Sequence, residues 1–117
     1  MLTSFAIALV ALLHLLFMVL EMFFWSRPLG RRIFGMSREM AAQTATLAAN
    51  QGLYNGFLAA GLVWGLLSGE QAVDISIFFL CCVIVAGVFG AFTAKRAILY
   101  IQALPAAIAL ALVLLSG

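Results

Sequence analysis

Apolar residues fall into four long runs, about residues 3–25, 46–67, 73–93 and 98–116, separated by three short polar stretches. Crossing the hydrocarbon core of a bilayer takes about 20 helical residues, which is the length of each run. In lipid only helices and closed barrels satisfy their own backbone. Barrel strands alternate polar and apolar residues with period two. The stretch Ile77-Phe78-Phe79-Leu80 does not alternate, so the runs predict helices. The expected fold is all-α: one antiparallel transmembrane four-helix bundle over residues 1–117.

The interruptions refine the boundaries. Pro28 and Gly30 end the first helix just past Trp25, a residue type that anchors at the membrane interface. Leu29, Ile33, Phe34, Met36 and Met40 are mixed with arginines, a composition suited to lying along the headgroups. Ser37 is placed to cap a helix with Glu39 in its first turn. The second helix is therefore expected over 38–67, about two turns longer than its apolar run. Gly61 and Gly65 form a G-x-x-x-G on that helix. Gly87 with Ala91, and Ala86 with Gly90, give similar small pairs on the third. Small residues let membrane helices approach closely. Pro105 predicts a kink in the fourth helix, or a turn where the freed backbone group finds another partner.

Composition changes the picture by exclusion. The chain is 67% hydrophobic and 9% charged, far from the roughly 25% charged residues of a soluble domain. A net charge of +2, without a basic binding stripe, argues against nucleic acid. Cys81 and Cys82 are helix neighbours about 100° apart, so they read as small core residues, neither a disulfide nor a zinc motif. The first run has no basic n-region and no small-residue cleavage site, so it is expected to be a retained span.

All six Lys and Arg residues lie in the first and third connections: Arg27, Arg31, Arg32, Arg38, Lys95 and Arg96. The second carries Glu70, with Asp74 close by. The positive-inside rule places segments 26–44 and 94–97 in the cytoplasm and both termini outside. The expected location is a bacterial inner (plasma) membrane.

Ionisable groups within a membrane helix cost about 2.5–3.5 kcal/mol or more at the bilayer centre, so His14 and Glu21 stand out. Seven residues apart, they share a helix face within about 20°. The second helix adds Asn50, Gln51, Tyr54 and Asn55, and the fourth adds Tyr100 and Gln102 near its cytoplasmic start. Consecutive helices usually pack together. A polar pocket open to the cytoplasm is therefore expected, with His14, Glu21, Asn50, Gln51, Tyr54, Asn55 and Tyr100 as ligand-binding candidates. Each also has a plainer use: His14 and the amides as interhelical glue, the tyrosines as interfacial anchors, and Glu21 as an ion-pair partner of Arg27 or Arg31. No metal or cofactor is expected. His14 and Glu21 supply two ligands where zinc wants three or four, no hydroxyl or thiol nucleophile stands beside His14, and there is no Gly-rich phosphate loop.

The stretch Ala49-Asn-Gln-Gly-Leu-Tyr-Asn-Gly-Phe-Leu-Ala-Ala-Gly61, preceded by His14-Leu-Leu-Phe-Met-Val-Leu-Glu21 and Trp25, resembles family 1304 of the domains of unknown function. Gly87-Val-Phe-Gly-Ala-Phe-Thr93 resembles its third-helix pattern. The resemblance covers nearly the whole chain and implies a small bacterial four-helix membrane protein. The family is similar to accessory proteins of the EpiH/GdmH type, associated with lantibiotic export and immunity. By architecture the chain also resembles the membrane-associated eicosanoid and glutathione metabolism proteins. Their second helix carries Arg and Glu with an Asn, where this one has Asn50 and Gln51.

Three functions follow as expectations. The first is a non-catalytic binding or accessory protein that holds an amphipathic small molecule, peptide or lipid, with membrane lipids as neighbours. The second is a small proton-coupled exporter with Glu21 as carrier and His14 as relay. The third is a glutathione-type membrane enzyme with Tyr54 or Tyr100 as acid. Four short helices leave little room for an internal cavity, and the glycine faces suit a homo-oligomer, a dimer or a trimer.

Overall fold

The computed structural model describes residues 1–116, and these are all-helical, with no strand among them. The helices are α1 (Leu2–Phe23), α2 (Pro28–Phe34), α3 (Arg38–Leu67), α4 (Ala72–Thr93) and α5 (Leu104–Ser116). A 3-10 turn (Gly69–Gln71) leads into α4, and a π-helical segment (Leu99–Ala103) leads into α5. Three helical stretches are long and apolar enough to cross a membrane: Leu2–Phe23, Gly69–Thr93 and Leu99–Ser116. The 30-residue α3 is outside that set because Asn50, Gln51 and Asn55 dilute its apolar run.

The chain divides into two compact units, Met1–Leu12 with Leu58–Gly117, and Leu13–Phe57. The first contains the apolar core. Ile7, Val10 and Ala11 of α1, Leu62 of α3, Leu80 and Val83 of α4, and Ala106, Ala109 and Val113 of α5 form one buried cluster. Small residues set its spacing. A Cβ on Gly87 would lie 2.8 Å from the backbone nitrogen of Ala103. One on Gly65 would lie 2.7 Å from Ser76 Oγ, and one on Gly61 would overlap the Phe79 ring. The glycine pattern thus serves packing within the chain. Gly61, Gly65 and Gly87 are buried within the chain.

Pro105 is accommodated by the second of the two anticipated routes. In the π segment before it, Leu104 N–H donates to Leu99 O, five residues back. This wider turn houses a proline that can neither donate nor tolerate the carbonyl four residues behind it. Gln102 Nε2 donates to Val83 O at 3.5 Å, which ties the segment to α4.

The second unit contains the end of α1, all of α2 and the first two-thirds of α3. Ser37 Oγ accepts from Met40 N–H at 3.1 Å, the N-cap bond anticipated for α3. Isolated seven-residue helices are unstable in water, so α2 depends on local supports. Pro28 is its first residue, where the missing N–H costs nothing. Gly35 ends it with φ +64°, and its N–H donates to Arg31 O, an αL cap suited to glycine. Gly30 is buried so tightly that a Cβ there would collide with the carbonyls of Phe24 and Trp25.

Candidate functional site

The site begins at Glu21 and Asn55. Glu21 is near the end of α1, on the face that meets α3. Asn55 is buried on α3, and its Nδ2 donates to Glu21 Oε1 at 2.5 Å. Two glycines make this approach feasible. A Cβ on Gly52 would fall 2.7 Å from Met22 Cγ and 3.1 Å from Met18 O, and one on Gly56 would fall 2.8 Å from Met18 Sδ. Gly52 and Gly56 therefore form a second G-x-x-x-G on α3. Sequence reasoning passed over it, although its signal equals that of Gly61 and Gly65.

Helical geometry divides the other candidates. With about 100° per residue, Asn55, Gly52 and Gly56 form one stripe, and Gln51 lies on its rim. Asn50 and Tyr54 lie about 140° and 100° from Asn55 and are exposed, as is Gln51. The Tyr54 ring meets Phe57 edge-on, with centroids 5.8 Å apart. The anticipated polar arc on α3 is thus split: Asn55 meets α1, whereas Asn50 and Tyr54 face away from it. His14 is completely buried and edge-on to Phe17 at 5.3 Å. Tyr100 belongs to the other unit, in the π segment, and is 60% exposed.

Glu21 takes an amide as its hydrogen-bond partner. Of the two arginines expected to pair with it, Arg27 instead places its guanidinium over the Phe24 ring, 5.8 Å from the centroid, a cation–π contact. Arg31 has its Nε buried without a hydrogen-bond partner. Beyond Glu21, the α1–α3 hairpin is closed at Trp25. Its Nε1 donates to Thr44 Oγ1 at 2.9 Å, while the Thr44 hydroxyl donates to Met40 O at 2.7 Å. The Phe34 ring packs on the indole at 4.7 Å. The anchor expected at Trp25 is thus also a clasp between α1, α2 and α3. Among the described residues, no group of three or more His, Cys, Asp or Glu side chains is placed to hold a metal ion.

Chemically, the arrangement offers one carboxylate oxygen held by the Asn55 amide and a second oxygen open to a further donor, with the exposed Gln51 amide on the rim. It can accept hydrogen bonds or bind a cation. No hydroxyl or thiol beside it is activated for attack.

No solved structure matches the chain. It is 31% identical over 96 residues to the uncharacterized protein YpaA of Lactococcus lactis subsp. lactis (strain IL1403), covering 80% of this chain and 81% of that one. Residues 8–114 match the family described as "Protein of unknown function (DUF1304)". That match takes in α2, α3 and α4 whole and most of α1 and α5, including every candidate site residue, so the chain belongs to the DUF1304 family.

Proposed function

We propose that this is an inner-membrane accessory protein with four spans, and that Glu21 and Asn55 form the polar centre of a binding site for an amphipathic molecule or lipid. In this reading α3 is the fourth span. Thirty helical residues extend about 45 Å, enough to cross the bilayer, and Leu62 shares the core with the three more apolar helices. Segments 26–44 and 94–97 face the cytoplasm with the six basic residues, and both termini face outward.

The observation that carries the reading is the Glu21–Asn55 hydrogen bond. A carboxyl group inside an apolar helix is costly and marks function by default. Here it meets an amide instead of a neutralising cation, and that leaves it able to serve an incoming polar or cationic head. Gln51 on the rim and Tyr54 beyond it are exposed and available to the rest of such a ligand. A homo-oligomer, dimer or trimer, would enclose these exposed groups.

Mass spectrometry of material extracted from purified protein tests the proposal. Wild type is expected to retain one amphipathic species well above bulk lipid, and Glu21→Ala with Asn55→Ala to lose it about tenfold. Equal lipid profiles for the two proteins would sink the binding role. The same amide-partnered carboxylate also supports a second reading, a proton-coupled exporter. That reading predicts pH-driven substrate movement in liposomes, abolished by Glu21→Gln.

A further inference from the structure

The candidate site leaves α2 unused, yet α2 is held with unusual care. Its inner face is Gly30, buried against the Phe24 and Trp25 carbonyls, and Phe34, stacked on Trp25. Leu29 and Ile33, about 40° apart on one flank, are 47% and 51% exposed. Arg32 lies on the outermost face, and Arg31 on the opposite flank. Arg27, Arg32 and Arg38 are exposed, no acidic residue lies between Arg27 and Arg38, and Glu39 follows directly after them. A flexible loop would serve as a connector. This one is capped by Gly35, clasped by Trp25 to Thr44, and presents apolar and cationic groups together.

We infer that α2 is a preformed anchor for anionic phospholipid headgroups, separate from the Glu21 site. Leu29 and Ile33 enter the acyl boundary, and the arginines meet the headgroup phosphates. Charge complementarity selects the occupant: four arginines within twelve residues, 27–38, beside exposed aliphatic side chains, at the end of a helix apolar enough to span a membrane. A soluble acidic peptide would match the arginines but leave Leu29 and Ile33 in water. Arginine suits phosphate because its planar fork donates two parallel hydrogen bonds. Arg31, whose Nε is buried without a partner, is the side chain with most to gain. Because the segment is already ordered, binding loses little conformational entropy.

The inference rests on the membrane placement proposed above, and the test separates the two. The protein has two tryptophans, and Trp64→Phe leaves Trp25 as the sole reporter. The full chain is reconstituted in phosphatidylcholine bilayers containing brominated phosphatidylglycerol or brominated phosphatidylcholine, and Trp25 quenching gives the relative affinity for each lipid. The expected result is a preference of about five- to tenfold for the anionic lipid, because the arginines are attracted to its net negative headgroup and not to zwitterionic phosphatidylcholine. Arg27→Gln/Arg31→Gln/Arg32→Gln should bring that preference close to one. Lys95→Gln/Arg96→Gln, in the other basic connection, should leave it unchanged. Equal quenching by the two lipids in the parent protein overturns the inference while leaving the membrane placement intact. Preference surviving the triple arginine variant, or lost in the Lys95/Arg96 variant, also overturns it. No quenching by either lipid overturns both.

Discussion

The two units of the chain solve the same packing problem differently. The unit formed by 1–12 and 58–117 uses shape: Leu62, Leu80 and Val83 are fully buried among Ala106 and Ala109, and Gly87 lets α4 meet the backbone of the π segment. The unit 13–57 uses polar bonds, Asn55 to Glu21 and Trp25 to Thr44, with Gly52 and Gly56 providing clearance. Lipid tails are as apolar as leucine, so burial from water does not drive helices together within a bilayer. What remains is dispersion, which rewards close fit, and hydrogen bonding, which rewards correct partners. The shape-packed unit has stability as its evident purpose. The polar unit spends an ionisable group where apolar packing would have sufficed.

Overpacking the first unit should give the largest effect. Gly87→Val places new atoms against backbone, which cannot swing aside, and should destabilise by about 3 kcal/mol or more, read as the midpoint of unfolding in detergent. Gly61→Ala is a milder companion, because the obstacle there is the movable Phe79 ring. Leu80→Ala should follow, at about 2–3 kcal/mol, through a cavity that the rigid alanine neighbours cannot close. Comparable losses from Leu80→Ala and from an exposed control such as Phe92→Ala, 87% exposed, would break the contrast.

Smaller effects are expected from the polar unit. A double-mutant cycle on Glu21→Leu and Asn55→Leu should return a coupling of about 1 kcal/mol, within the range of interhelical hydrogen bonds in membranes. A coupling near zero would mean that the pair is not formed. The smallest change should come from Thr44→Val. It removes the acceptor of the Trp25 indole at a site where interfacial water can replace it, so about 0.5 kcal/mol is expected, with a measurable shift of Trp25 fluorescence. If Thr44→Val instead rivalled Leu80→Ala, the clasp would rank with the core.

Much of the fold was legible from apolar runs and breakers. Ser37 marked the start of α3 and Pro105 announced an irregular turn, whereas Pro28 and Gly30, read as the breakers that end the first helix, lie inside the short helix α2, and α1 already stops at Phe23. These signals are local, and their physics acts within a few residues. The candidate site was legible only in part. Glu21 and Asn55 stood out as polar residues in apolar surroundings, but composition does not say which amide meets the carboxylate. That depends on helix phase, and the phase was signalled by Gly52 and Gly56, whose missing side chains choose the face of α3 that α1 can approach. Arg27 and Arg31 looked like partners of Glu21 by proximity in sequence. The fold of α2 sends Arg27 to an aromatic ring instead.

The π segment before Pro105 also shifts a reading frame. A π turn holds about one residue more than an α turn, so the side chains of 99–103 are out of step with the buried series Ala106, Ala109 and Val113. A wheel drawn continuously through both would rotate Tyr100 and Gln102 by roughly one residue's angle, about 100°, from their positions in the fold. The segment behaves as a single-residue insertion absorbed within a helix. Chains lacking one residue here could keep the α5 core stripe while turning the 99–103 face toward different surroundings, so the length of this short stretch, more than its composition, sets what its polar side chains can reach.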